Sequence, residues 1–332
     1  MLLRLRLCLI STFSFASIVC GQSIESGAAL APTNFGKSFS LEDNPDALMR
    51  MPGTSLRDSG GPASLTGLSI RGARAKEVSV SLEGIPLNSA GSGDFDLGLL
   101  SPWALTEGRL LRGGYAPLST SPNGNLLLRL PDKERTRLSV GGGDFGSIFV
   151  GAQIPHASFS FDRSDNDFPY KKNAVSSTRR NNSHQRYNFR TWWRADLWQV
   201  WGQLLYNDID LPGPVGSVFP PSSTKTTRPT VAVQWRRANL SIEGKFDFQS
   251  QTVKSEPTNF WYNGRLQLRH QQEVLNNLQH HGTIEQSVDK LDSGNFSSPL
   301  RSTTALISSF LWTPYSGQLL HPSLRAEFVS DL

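Results

Sequence analysis

Two patterns of hydrophobic and polar residues divide the chain near residue 134. Before it, short alternating segments are separated by turns rich in glycine and proline, and residues 43–51 have the cap and early proline of a helix. After it, the alternation has a period of two over longer runs, which predicts strands with one apolar and one polar face. Eleven strands are predicted, at 137–143, 147–153, 157–162, 186–195, 198–206, 230–235, 240–248, 261–268, 282–286, 303–312 and 319–329.

The gaps between these predicted strands alternate in length. Long gaps lie at 163–185, 207–229, 250–260 and 287–301, short gaps lie at 154–156, 196–197 and 236–239, and 269–281 departs from the trend. Barrels of the bacterial outer membrane have short periplasmic turns and longer outer loops. The second part of the chain is therefore expected to be an antiparallel transmembrane β-barrel.

Four tryptophans lie around one short predicted turn: Trp192, Trp193, Trp198 and Trp201. Near strand ends, tryptophans are typical of the aromatic girdle at a membrane interface. We expect all four to belong to such a girdle. The core of a soluble sandwich is the alternative.

Composition supports an all-β membrane protein and excludes other classes. Charged residues make up 18% of the chain, against about 25% in typical soluble domains. After residue 20 no stretch is long and apolar enough to span a bilayer as a helix. The formal charge of +5 is mild, and no basic stripe with interleaved aromatic residues is present. We therefore expect no nucleic-acid partner.

The first 21 residues have the parts of a secretory signal peptide. Arg4 and Arg6 form its basic start, residues 7–19 are its apolar core, and cleavage is expected after Gly21. A lipoprotein anchor on Cys20 is a weaker alternative because the preceding residues fit its recognition pattern poorly. Cys8 and Cys20 would leave with the signal, so no disulfide or cysteine metal site is expected. Residues 22–40 are interpreted as an extended periplasmic segment.

Four segments, in order, resemble the plug domain of TonB-dependent outer-membrane receptors. They are LEDNPDALMRMPGTSL with Pro52 and Gly53, LSIRGARAKEVSVSLEGIPLN with Arg71, Gly72, Glu83 and Gly84, LTEGRLLRGGYAPL with Arg112 and Gly113, and SPNGNLLLRLP with Gly124. Glu83 stands where the family usually has Asp. No clear TonB box, the short apolar motif near the mature N-terminus, precedes the first segment.

The resemblance implies a mixed α+β plug, residues 41–133, inside an antiparallel transmembrane barrel, residues 134–332, in the outer membrane of a Gram-negative-type bacterium. It implies uptake of a scarce small-molecule ligand such as a siderophore or cobalamin. The implied partners are outer-membrane lipid and a TonB-type energy-coupling complex. It implies neither an enzyme nor a cofactor. Finally, it implies that Arg71 and Arg112 face carboxylates on the barrel wall; the alternative is that both arginines only solvate loops or pair locally.

Length sets a further expectation. Residues 135–332 accommodate about half of the 22 strands of a plugged transporter, since each spanning strand takes about 9–11 residues. We therefore expect an open barrel of about 10–11 strands and a fragment of a longer protein. The alternatives are a complete, smaller porin-like barrel without active transport and a secreted all-β carbohydrate-active protein.

Candidate metal chemistry is confined to one acidic segment. Asp162, Asp165 and Asp167 precede Pro169 and could offer oxygen ligands to calcium. The spacing and glycine of an EF-hand loop are missing, so a solvated loop is the favoured interpretation. His280 and His281 are adjacent and would point to opposite faces of a strand, which disfavours a metal site.

Overall fold

The computed structural model describes residues 54–331 with gaps at 59–65, 90–92, 102–104, 106, 113–123, 132–135, 145, 166–167, 173–174, 180–182, 212–221, 255, 295 and 313–322. The predicted signal peptide, the segment 22–40, the predicted helix 43–51 and the residues Pro52, Gly53, Gly113 and Asp167 lie outside the described residues.

The N-terminal part forms two small sheets. Strand β1 (Thr54–Asp58) pairs antiparallel with β2 (Thr66–Ile70). The second sheet has the order β4-β3-β6-β5 and is parallel only between β3 and β6. Its strands are β3 (Ser79–Leu82), β4 (Ile85–Pro86), β5 (Glu107–Arg112) and β6 (Gly124–Arg129).

Helix is scarce in the N-terminal part. Across the described ranges, it is limited to the short 3-10 helices Ala75–Glu77 and Leu97–Leu99. The expected mixed α+β plug is therefore, as far as the structure describes it, a β-structure. Among all the residues that the structure describes, no helix is long and apolar enough to cross a membrane.

The rest of the chain builds one large antiparallel sheet, here called the wall. Its strands are β7 (Arg137–Gly142), β8 (Ile148–Ile154), β9 (Ala157–Asp165), β12 (Ser183–Arg194), β13 (Trp198–Leu211), β14 (Ser222–Arg237), β15 (Leu240–Val253), β16 (Asn259–Leu275), β17 (Leu278–Ser293), β18 (Phe296–Ser297), β19 (Arg301–Trp312) and β20 (Ser323–Asp331). Consecutive long strands pair in sequence order, and the short β18 pairs with β17. A separate hairpin joins β10 (Phe168–Lys172) to β11 (Val175–Arg179).

The eleven long strands of the wall correspond one to one to the eleven predicted strands. In the order of the sheet, β7 and β20 are its two edges, so the sheet is open. The expected antiparallel sheet is confirmed, and a closed barrel is not formed by the strands that the structure describes.

The prediction of a long loop at residues 269–281 is wrong. Strands β16 and β17 run through it to a turn at residues 276–277, with Leu275 paired with Leu278. The sequence did not indicate this pairing because residues from Gln271 to Glu273 are all polar. A strand end that extends beyond an apolar layer no longer alternates between apolar and polar residues. Short turns also lie at 155–156, 195–197 and 238–239 on the same side, whereas the connection 313–322 on that side is longer.

Successive residues of the wall strands alternate between two environments. On β15, Glu243, Lys245 and Asp247 are buried, whereas Ile242 and Phe246 between and beside them are 40% and 58% exposed. The buried polar residues face the N-terminal sheets, and the exposed apolar residues face outward. This arrangement reverses that of a soluble sandwich, in which the exposed face is polar.

The four clustered tryptophans divide between these faces. Trp193 and Trp198 point outward and are 51% and 47% exposed, in agreement with the predicted girdle. Trp192 and Trp201, partners in the β12–β13 register, are buried in the core. The prediction was wrong for these two because neighbouring residues on a strand must point to opposite faces.

A second aromatic row crosses the outward face nearer the long loops. It contains the ring contacts Phe161–Tyr187, Tyr187–Tyr206 and Phe248–Tyr262, with centroid distances of 4.9, 5.6 and 5.1 Å. Tyr206 is eight positions after Trp198 on β13, so the two residues are roughly 26 Å apart along the strand. This distance is about 20 Å across a layer if the strand is tilted by about 40°. The outward face therefore carries an apolar belt between two aromatic rows.

Candidate functional site: the contact between plug and wall

Three arginines of β12 reach from the wall to the main chain of the N-terminal part. Arg186, Arg190 and Arg194 are four residues apart, an even spacing that places them on the same inward face of a strand. Their guanidinium groups donate to the carbonyl oxygens of Gly98 (2.8 Å), Ser101 (2.9 Å) and Pro131 (2.9 Å), respectively.

Neighbouring wall residues orient these arginines. The Nε of Arg186 donates to Oδ1 of Asp162 (2.7 Å), whose Oδ2 lies 3.0 Å from Nε2 of His184. The Oδ1 of Asn188 accepts from Nη2 of Arg190 (3.3 Å) and from the backbone N–H of Ser101 (3.0 Å). The segment 98–101 is thus bound through both its carbonyl and its amide groups.

A second group of wall residues binds the segment after β4. Arg228 forms a bidentate pair with Asp247, with Nε–Oδ1 and Nη2–Oδ2 distances of 3.0 and 2.5 Å, and also donates to the carbonyl of Leu87. The Nζ of Lys245 donates to the carbonyl of Pro86 at 3.1 Å. Both cations are buried, and the carboxylate of Asp247 pairs with both, its Oδ2 lying 3.8 Å from Nζ of Lys245.

The Arg228 guanidinium also lies over the ring of Phe95, 5.3 Å from its centroid. A cation over an aromatic face is attracted by the negative face of the ring. Arg228 therefore makes three kinds of contact: an ion pair with Asp247, a hydrogen bond to Leu87 and a cation–π contact with Phe95.

The tight turn at Glu83-Gly84 connects β3 to β4 and carries a direct ion pair to the wall. Positive φ angles of 54° and 86° are typical of a two-residue type I′ turn. The Oε1 of Glu83 accepts from Nη2 of Arg194 (2.8 Å) and from the N–H of Leu130 (2.6 Å). Its carbonyl accepts from Nε2 of Gln234 at 2.8 Å.

The other singled-out motif residues have different environments. Arg71 and Gly72 also form a turn with positive φ angles, 52° and 80°, and the Arg71 side chain is exposed. Arg112 lies on β5 opposite Gly124 of β6, and its side chain lies outside the described residues. The resemblance implied cations on the plug and carboxylates on the wall. In the ion pair between Glu83 and Arg194 the charges are the other way round, since the plug supplies the carboxylate and the wall supplies the cation.

The acidic candidates for calcium are not brought together. Asp162 is a strand residue on the inward face, whereas Asp165 is exposed and pairs with Arg163 at 3.1 Å. Among the side chains the structure describes, no group of three His, Cys, Asp or Glu residues could hold a metal ion.

Among the described carboxylates of the plug, Asp96 is the one whose pKa is strongly shifted. Its Oδ1 accepts from the N–H groups of Thr66 and Gly98, both at 2.8 Å. Burial raises the pKa of this carboxyl to about 6, although both hydrogen bonds act in the other direction. The protonation of Asp96 therefore changes near neutral pH, beside the segment that Arg186 and Arg190 bind.

Sequence reasoning missed the wall arginines. The available signal was the spacing of Arg186, Arg190 and Arg194 on the polar face of one predicted strand. Their targets are backbone carbonyls, which every residue has, so the sequence could not identify the acceptors.

Comparisons with a family model, a curated relative and solved structures all indicate similarity to outer-membrane transporters. Residues 37–125 match the family model "TonB-dependent Receptor Plug Domain". The vitamin B12 transporter BtuB of Vibrio vulnificus (strain YJ016) is 24% identical over 215 residues, which are 60% of this chain and 35% of BtuB.

Solved structures share the fold. The copper transporter OprC superimposes with a TM-score of 0.61 at 11% identity, covering 92% of this chain and 56% of OprC. The FrpB iron transporter of Neisseria meningitidis (F5-1 variant) gives 0.60 at 10% identity, covering 86% and 59%. The chain thus spans little more than half the length of these structures. Members of the matched family are outer-membrane proteins of Gram-negative bacteria. The chain thus matches the plug domain of TonB-dependent receptors at residues 37–125, and its wall folds like part of the barrel of these solved transporters.

Proposed function

We propose that this chain is part of an outer-membrane receptor for TonB-dependent uptake of a scarce small-molecule ligand. In this proposal residues 1–21 direct export, 22–40 extend into the periplasm, 41–133 are the plug and 134–332 are barrel wall in the outer membrane. The observation that supports it most is the set of hydrogen bonds from wall cations to the main chain of the plug.

Bonds of this kind suit a plug that must move. A hydrogen bond from a charged donor to a carbonyl contributes only about 1.5–3 kcal/mol net, because water replaces the lost partner when it breaks. Apolar contact resists movement more, since the exposed surface costs free energy in proportion to its area. In the buried apolar cluster, as far as residues are described, the wall contributes Trp192, Trp201, Leu205 and Ala232 beside the plug residues.

The relatives suggest the class of ligand. Their names specify vitamin B12, copper and iron as cargo. We propose a metal-containing ligand such as a ferric siderophore or a cobalamin, which binds on the side of the long loops. A TonB-type complex then pulls the plug from the periplasm, and no covalent chemistry takes place on the protein.

A reducible crosslink between plug and wall tests the proposal. Cysteines replace Glu83 and Arg194 in the receptor expressed in its own bacterium, and a bifunctional thiosulfonate joins them. Uptake of a panel of ferric siderophores and cyanocobalamin is then measured. We expect crosslinking to stop uptake while binding persists, and dithiothreitol to restore uptake. The single-cysteine variants are the controls. Undiminished uptake through the crosslinked receptor would contradict the proposal.

A further inference from the structure

A hollow interrupts the outward face of the wall between β16 and β20. It has a volume of about 400 Å³ and is lined mainly by outward-facing side chains. Its flanks are Leu268, Ile284, Leu306 and Leu324, which are 37 to 52% exposed. It exists because Gly282 and Ala326 place little or no side chain on this face.

The register shows that these residues form one continuous groove. Leu268, Ile284, Leu306 and Ala326 are successive partners across four strands. The adjacent outward row consists of His270, Gly282, Ser308 and Leu324. A Cβ added to Gly282 would meet only the imidazole of His280, at 3.5 Å, so the space above this glycine is open.

The position of the groove limits what can occupy it. Gly282 is the fifth residue of β17, so it lies about 13 Å along the strand from Leu278, the first residue after the turn at 276–277. The short turns face the periplasm in barrels of this type. The groove is therefore in the periplasmic half of the apolar belt, where glycerophospholipids supply the hydrocarbon.

The size of the groove favours a single chain over a protein partner. A volume of 400 Å³ is that of a small-ligand pocket, whereas a stable protein–protein interface buries about 1,600 Å² of total surface. Apolar flanks without a charged side chain exclude a charged ligand.

We propose that this groove, centred on Gly282, binds one acyl chain of a phospholipid of the periplasmic leaflet. Exposed leucine and isoleucine side chains enclose the chain, and the glycine lets it approach the backbone of β17. The inference rests on the proposed function only in that the outward face must lie in the membrane.

Native mass spectrometry of the detergent-purified chain tests this proposal. Gly282→Leu fills the groove, and Ala326→Leu fills it from the neighbouring strand. Gly264→Leu is the matched control. Gly264, on the neighbouring strand β16, is also an outward glycine with open space around it, but it does not line the groove. Tryptophan fluorescence and resistance to protease check that each variant folds.

We expect the wild type and Gly264→Leu to retain one phospholipid through purification, and both filled variants to retain none. The proposal is overturned if the wild type retains no phospholipid, or if either filled variant retains as many as the control. A chain that stays soluble without detergent would instead overturn the membrane location itself, so the two failures are distinguishable.

Discussion

At the scale of single residues, the wall binds the plug mostly through backbone atoms of the plug. Arg186, Arg190, Arg228 and Lys245 all donate to plug carbonyls, and only Glu83 contributes a charged plug side chain among the described contacts. Plug side chains in these segments can therefore change without loss of the attachment. Substitutions of the wall cations should have larger effects.

The ion pair between Glu83 and Arg194 provides the first prediction. Arg194→Gln leaves the carboxylate of Glu83, 10% exposed, without its cation and should destabilise the plug by about 2–3 kcal/mol. The double variant Glu83→Gln/Arg194→Gln should recover more than half of this loss. Urea unfolding of the plug, analysed as a double-mutant cycle, measures the coupling.

Arg163→Gln is the control, because Arg163 pairs with Asp165 on the exposed surface and should change stability by less than about 1 kcal/mol. If Arg194→Gln and Arg163→Gln lower the free energy of unfolding equally, the plug–wall ion pair stabilises the protein no more than an exposed pair does.

Asp96 provides a prediction about pH. Its pKa is raised to about 6 in the folded plug, so the folded state holds more protons than the unfolded state between about pH 4 and 6. The stability contributed by the protonated form is therefore present at low pH and is lost as pH rises through 6. Exchange of the Thr66 and Gly98 amides should accelerate from pH 5 to 7.5 beyond the intrinsic pH effect.

Asp96→Asn should remove this additional pH dependence, because the amide oxygen accepts the same two hydrogen bonds without carrying a charge. Intrinsic exchange rates cancel when both proteins are measured in the same buffers. An additional acceleration of the same size in Asp96→Asn would show that another group titrates.

The sequence predicted single residues only where geometry requires a residue type. Glycine at position 84 indicated a tight turn, and the positive φ there agrees. The partner of Arg194 was beyond prediction, since distant parts of the chain meet only in the folded protein. Glu83 and Arg194 are 111 positions apart.

At the scale of strands, the alternation of faces determines what each residue contacts. The inward face of β15 meets the plug, and its outward face has Phe246 at the centre of the apolar belt. Period two predicted this alternation directly. It did not predict the strand ends, where β14, β15, β16 and β17 all continue into polar residues.

Phe246→Arg tests the environment of the outward face. An arginine in the middle of a hydrocarbon layer should cost about 2–4 kcal/mol, whereas one near an interface costs about 0–1 kcal/mol. Gln272→Arg, on an exposed strand end of β16, is the matched interfacial variant. Folding into phospholipid vesicles at increasing urea measures both. Tolerance of Phe246→Arg equal to that of Gln272→Arg would place the face in water.

At the scale of the whole molecule, the order of segments predicted a plug followed by half of a barrel wall. The eleven strands and their sequence-order pairing agree with this expectation. The seating of the plug against β12 to β15 was not predictable, because hydrogen bonds to backbone carbonyls leave no trace in the sequence. The second aromatic row, with Tyr187 and Tyr206, could be located only after the register was known.

A spin-label scan of β15 tests the central claim most directly: that the wall separates membrane lipid from a plug. Single cysteines at residues 241–249 carry a nitroxide in vesicle-reconstituted protein, and collision with oxygen and with an aqueous nickel chelate is measured. Cys8 and Cys20 lie in the predicted signal peptide and should not interfere. We predict high oxygen access at positions 242, 244, 246 and 248, and low access to both reagents at 243, 245 and 247. Nickel access at the even positions, or no alternation, would contradict the account.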